Sequence, residues 1–154
     1  MEHRSFDTRT LWESYRELLP QVESLPLEVT GHSMAPFLIP HRDSVRLSAV
    51  RRPLHVGDLV LYQRGNGQYI LHRICRTDGH TFTLVGDAHA VVEPGIRPDQ
   101  IFALVTEVTR NQKKLTPGSF WWEFFEKIWV RIIPLRPCLL RLASAARKII
   151  RRES

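Results

Sequence analysis

Two stretches hold the residues best suited to chemistry: TGHSMAPFL, from Thr30 to Leu38, and YILHRIC, which carries His72. Serine at its ordinary pKa is a poor nucleophile, so Ser33 needs a neighbouring base and donors for a developing oxyanion. Strand alternation puts His72 on the same face as Ile70 and Ile74, partly shielded from water and held neutral, so its imidazole can accept a proton. His32 adjoins Ser33 but points to the opposite side of an extended segment. His3, His41, His55 and His80 fall in polar or turn-like surroundings and read as solvated. The plain alternatives are a serine that caps a turn and a histidine packed in a strand. His72, Asp87 and His89 have metal-binding side chains without paired ligand spacing, so no metal or cofactor is expected. An α/β-hydrolase elbow is excluded because Ala35 stands where Gly-x-Ser-x-Gly requires glycine.

The elements that must position these groups fall into three segments. Leu11, Trp12, Tyr15, Leu18, Leu19 and Val22 recur at helical spacing, with Asp7 or Thr8 as cap, which predicts an amphipathic helix within residues 1–26, ending before Pro26. Residues 27–114 change to short β-rich runs, LEVT, SVRLSAV, DLVLYQ, QYILHRICR, TFTLV and IFALVTEV. A mainly β core follows. RGNGQ and TDGH are glycine-containing connections that close antiparallel hairpins, so Asp58 to Val85 reads as a meander. Asp58 itself suits the turn in VGDLV.

Residues 115–154 form a third segment, basic and rich in aromatics. Pro134 and Pro137 divide its first, aromatic part from an Arg-rich second helix, and charges interrupt it too often for a membrane span. An interfacial helix pair fits, with Trp121, Trp122 and Trp129 at headgroup level and arginines toward anionic lipid; the alternative is that these aromatics cover the β core or a partner protein. Much of the net charge of +6 lies here. Tryptophan clustering favours lipid or protein over nucleic acid. The 154 residues, 43% of them hydrophobic, suit one domain plus an appendage. Cys75 and Cys138 have no CxxC spacing and imply neither a disulfide framework nor a zinc site. The first twenty residues contain no apolar run long enough for a signal peptide or anchor.

The boxes GHSMAPFL, HVGDLVLYQ, YILHRI, TLVGDA and IFALVTEV, in this order across roughly residues 28 to 110, resemble the signal peptidase superfamily, which also contains the self-cleaving LexA-type repressors. The resemblance implies a LexA/signal peptidase-like β core, here with an N-terminal helix and C-terminal amphipathic helices. It makes Ser33 the nucleophile and puts His72 where many relatives carry a lysine base, as in the endoplasmic-reticulum and archaeal-type enzymes. Asp87 matches the Gly-Asp aspartate and is the preferred third member, orienting His72 Nδ1, with Glu93 as the alternative acid. For Asp87 the competing role is organising its own turn.

That resemblance implies a serine endopeptidase that cleaves leader or signal-type peptides through an acyl-enzyme. The substrate adds as a β-strand, with small residues at the first and third positions before the cut. The Ser33 N–H is the expected oxyanion donor, aided by Thr30, with Gly31 leaving room and Met34 and Pro36 shaping the neighbourhood. The expected location is cytoplasmic, peripheral on the inner membrane surface, with residues 119–154 meeting an anionic membrane or a protein partner. A competing class is an inactive peptidase-fold module that binds membrane, protein or nucleic acid through its basic helices.

Overall fold

The computed structural model describes residues 8–152. The side chains offered as the first helix cap, Asp7 and Thr8, and also His3, lie outside what it describes. Helix α1 spans Thr8–Leu18, followed by a 3₁₀ turn at Leu19–Gln21. It ends well before Pro26 because Pro20 restricts the residue ahead of it and offers no backbone donor to continue the ladder. Trp12 stacks on Tyr69 with ring centroids 5.3 Å apart, and Leu19 is buried in the main core, so the helix packs on the domain as its apolar stripe requires.

Eight antiparallel strands follow, β1 Leu25–Glu28, β2 Asp43–Ser48, β3 Leu59–Gln63, β4 Tyr69–Thr77, β5 Phe82–Val85, β6 Glu93–Ile96, β7 Ile101–Arg110 and β8 Lys113–Leu115. Their spatial order is β1-β2-β7-β3-β4-β5-β6, with β8 paired to β7. The strands β3, β4 and β5 form the expected meander. β1 starts at Leu25, inside the segment assigned to the N-terminal helix. Two strands depart from the expected set. β6 is EPGI, where proline is tolerated because the strand lies at the sheet edge. β8 is reached through Asn111 and Gln112, both at positive φ, as in a type I′ hairpin turn.

Central strand β3 is buried on both faces. Leu59 and Leu61 enter the larger core with Phe37, Val45 and Ala103; Val60 and Tyr62 enter the smaller one with Ile74 and Leu84. The C-terminal segment contains a short α2 at Phe120–Glu123, irregular helical turns from Phe124 to Leu135, and α3 at Arg136–Arg152. The whole is a mixed α/β arrangement, an eight-stranded antiparallel sheet with an N-terminal helix and two C-terminal helices. The expectation of a mainly β chain understates its helices. The expected interfacial tryptophans need correction as well: Trp122 and Trp129 are buried in the larger core, Trp122 edge-on to Phe37, and only Trp121 is exposed. Their large apolar area is satisfied by the domain itself. Among the described residues no helix is long and apolar enough to cross a membrane.

Candidate active site

Ser33 follows β1 through the extended residues Val29 to Gly31 and begins a turn held by Ala35 N–H to His32 O at 3.1 Å and Leu38 N–H to Met34 O at 2.8 Å. Met34, Phe37 and Leu38 are buried beneath that turn and fix its position, which makes Met34 mainly a core residue. The Ser33 carbonyl accepts the Ala88 N–H at 2.9 Å, tying the serine turn to the Gly86–Ala88 turn. Among the described residues neither the Ser33 hydroxyl nor its amide bonds within the protein. A cleft of about 590 Å³ runs past Ser33, His72, Arg64, His89, Val92 and Glu93.

Gly86 explains how these parts approach one another. A Cβ there would sit 2.5 Å from the Ser33 carbonyl oxygen and 3.1 Å from His72 Nε2. Any side chain would push the serine turn and the imidazole apart. Nε2 therefore lies against Gly86, whose other neighbour is the Ser33 carbonyl, while the opposite ring nitrogen faces Tyr62.

His72 lies opposite Val60 in the β3–β4 hairpin and is 8% exposed. Burial lowers its pKa to about 4, helped by the Arg64 and His89 charges and opposed by Glu93. The imidazole is neutral at pH 7, as its strand position predicts. The Tyr62 hydroxyl donates to Glu93 Oε2 at 2.6 Å and lies 3.5 Å from His72 Nδ1, at the outer limit of a hydrogen bond. Burial and the Glu93 contact raise the Tyr62 pKa, so the phenol keeps its proton. Although burial pushes Glu93 up, bonds from Arg64 and Tyr62 hold it below its ordinary value. Arg64 contributes contacts of 2.9 to 3.0 Å. Because the phenol proton is committed to a carboxylate, its oxygen can only accept from Nδ1–H, a tautomer that leaves Nε2 without a proton.

Asp87 does not orient His72. Its carboxylate oxygens accept from Arg73 Nε at 2.9 Å and Nη2 at 2.8 Å, both side chains fully buried, and its carbonyl accepts the Trp129 indole N–H at 2.9 Å. Arg73 also donates to the Gly57 carbonyl at 2.8 Å. Asp87 thus organises its turn through a guanidinium, not through its own backbone. Glu93, the alternative acid, reaches His72 only through Tyr62. Sequence reasoning passed over Tyr62, although hairpin register pairs it with Ile70 and makes it the diagonal neighbour of His72 on one face.

The remaining residues sort plainly. Thr30 and Gly31 are exposed, and nothing lies within 4 Å of where a Gly31 Cβ would be. Pro36 is half-buried in the turn and borders neither cavity beside Ser33. His32, His41, His55 and His80 are exposed, and Asp58 accepts from Arg52 and the His55 N–H as a turn residue. Among the described residues no cluster of His, Cys, Asp and Glu is placed to hold a metal ion. A second cavity of about 220 Å³ opens on the other side of Ser33, bordered by Trp12, Leu27, Val29, Met34 and Leu71. Comparison with protein-family models, with curated proteins and with solved structures finds no match to this chain.

Proposed function

We propose that this chain is a Ser-His endopeptidase with a LexA/signal peptidase-like core, cleaving leader or signal-type peptides by acyl-enzyme hydrolysis. The observation that carries the reading is Gly86, whose missing side chain lets the Ser33 turn and His72 Nε2 share one edge of an open cleft. His72 Nε2 takes the Ser33 hydroxyl proton as the oxygen attacks a peptide carbonyl. The Ser33 N–H faces the developing oxyanion, the imidazolium protonates the leaving amine, and water repeats the cycle on the ester. Glu93, acting through Tyr62, offsets the positive charge that burial otherwise opposes.

The groove supports an extended substrate. β1 is an edge strand whose inner groups are used: Val29 N–H bonds the Asp43 carbonyl at 3.2 Å and Val29 O accepts His41 N–H at 3.3 Å. By alternation Glu28 and Thr30 turn their backbone groups outward, where a peptide strand can pair while running toward Ser33. Upstream the groove ends at Pro26, whose carbonyl is taken by the Tyr15 hydroxyl of α1. The apolar cavity beside Ser33, walled by Trp12, then receives an apolar side chain ahead of the cut.

The test is cleavage of a co-expressed leader-bearing peptide together with labelling by a serine-directed phosphonate. Wild type is expected to cleave and to be labelled; Ser33→Ala and His72→Ala each abolish cleavage while circular dichroism stays unchanged. Folded wild-type protein that neither cleaves nor takes the label would leave a binding module instead.

A further inference from the structure

Among the described residues, helix α3 is rooted in the domain at its start. Arg136 is fully buried, donating to the Trp129 carbonyl at 2.8 and 3.2 Å and to the Gly86 and His89 carbonyls at 3.1 Å, and Leu140 is half-buried against the core. From Arg141 to Arg151 every residue is exposed. At 1.5 Å per residue the helix is about 25 Å long, so most of it stands clear of the sheet.

Apart from Leu140, which packs on the core, its sequence divides by angle. At about 100° per residue, Leu139, Leu142, Ala143, Ala146 and Ile149 share one arc, and Arg141, Arg147, Lys148 and Arg151 fill the other. Leu142 and Ile149 are 62% and 60% exposed. Arg136–Arg152 contains no acidic residue. Apolar side chains left in water at this level call for a cover, and the uninterrupted positive flank specifies its charge. A second copy of α3 would bring like charges together along the flanks of the seam. Nucleic acid would leave the leucine and isoleucine arc uncovered. A surface apolar beneath and negative at its rim meets both faces at once.

We propose that α3 lies in the interface of an anionic phospholipid bilayer, its Leu142–Ile149 arc among the acyl chains and its cations among the headgroup phosphates. The exposed Trp121, Ile128 and Leu135 lie on the segment leading into the helix. Each cation near such a surface is worth about five-fold in affinity.

Flotation of the full chain with two kinds of vesicle tests this, pure phosphatidylcholine and equal parts phosphatidylcholine and phosphatidylglycerol. The protein is expected to float with the mixed vesicles and not with the neutral ones, and to be released as salt rises. Leu142→Glu with Ile149→Glu abolishes flotation. Arg147→Gln with Lys148→Gln weakens it about twenty-five-fold. All four positions are exposed, so circular dichroism and thermal unfolding report whether each variant remains folded. Absence of flotation by folded wild type, equal flotation with neutral vesicles, or undiminished flotation of the Leu142→Glu, Ile149→Glu protein overturns the proposal. So does capture of α3 by RNA or by a second copy of the chain without lipid binding.

Discussion

Two ion pairs flank the candidate site, and their surroundings differ in a way that sorts the two acids. Arg73 and Asp87 are sealed from water, with side chains 2% and 0% exposed, and every carboxylate oxygen is spent on the guanidinium. Arg64 and Glu93 sit at the cleft rim, 33% and 30% exposed, and Glu93 still accepts the Tyr62 proton. A carboxylate closed inside a bidentate pair can hold a turn in place but has nothing left to offer an imidazole. A carboxylate at the rim, shared between an arginine and a phenol, can tune a proton acceptor while contributing little to the stability of the fold.

Substituting each acid separates these roles. Asp87→Asn leaves Arg73 as a buried, half-paired charge, and a loss of about 3–5 kcal/mol is expected in urea denaturation. A variant as stable as wild type would break the contrast. Glu93→Gln and Tyr62→Phe are expected to keep the fold within about 1 kcal/mol, read by the same denaturation curves. Their cleavage rates should fall about tenfold to a hundredfold, short of the roughly 10⁴-fold cost of losing a directly bonded orienting carboxylate.

The pH profile carries the smallest effects. In the proposed mechanism cleavage uses neutral His72, so the rate should hold until pH falls toward about 4 and decline below it, unlike a histidine of ordinary pKa, which already costs activity near neutrality. Arg64 lowers that pKa and Glu93 raises it. Arg64→Gln should therefore move the acid limb to higher pH, and Glu93→Gln should move it lower, in rate profiles against a leader peptide. Limbs that shift in the same direction would remove the electrostatic half of the comparison.

Much of the scaffold was legible because alternating residues leave a strong signature. The six strand runs, the β3–β5 meander and the burial of His72 all follow from period two and hairpin glycines. β6 was hidden because a proline and a glycine occupy a four-residue edge strand, and β8 because two exposed lysines carry no apolar pattern. The tryptophans misled for a different reason: an aromatic run reads alike whether a bilayer or a sheet covers it, and here Phe37 and its neighbours receive Trp122 and Trp129. Ser33 and His72 are singled out by residue type together with the resemblance of their boxes, but Arg73 as the partner of Asp87 is not. Arg73 follows His72 directly and points to the other face of β4, so only the folded sheet shows that this guanidinium claims the carboxylate.

Arg136 couples parts that otherwise have separate tasks. Its guanidinium bolts the root of a protruding rod to the carbonyls of Gly86 and His89, the same turn that abuts the imidazole. That guanidinium thus links the protruding helix to the turn beside Ser33 and His72. If α3 is held at a bilayer as proposed, that hold reaches the turn beside His72 through this one side chain.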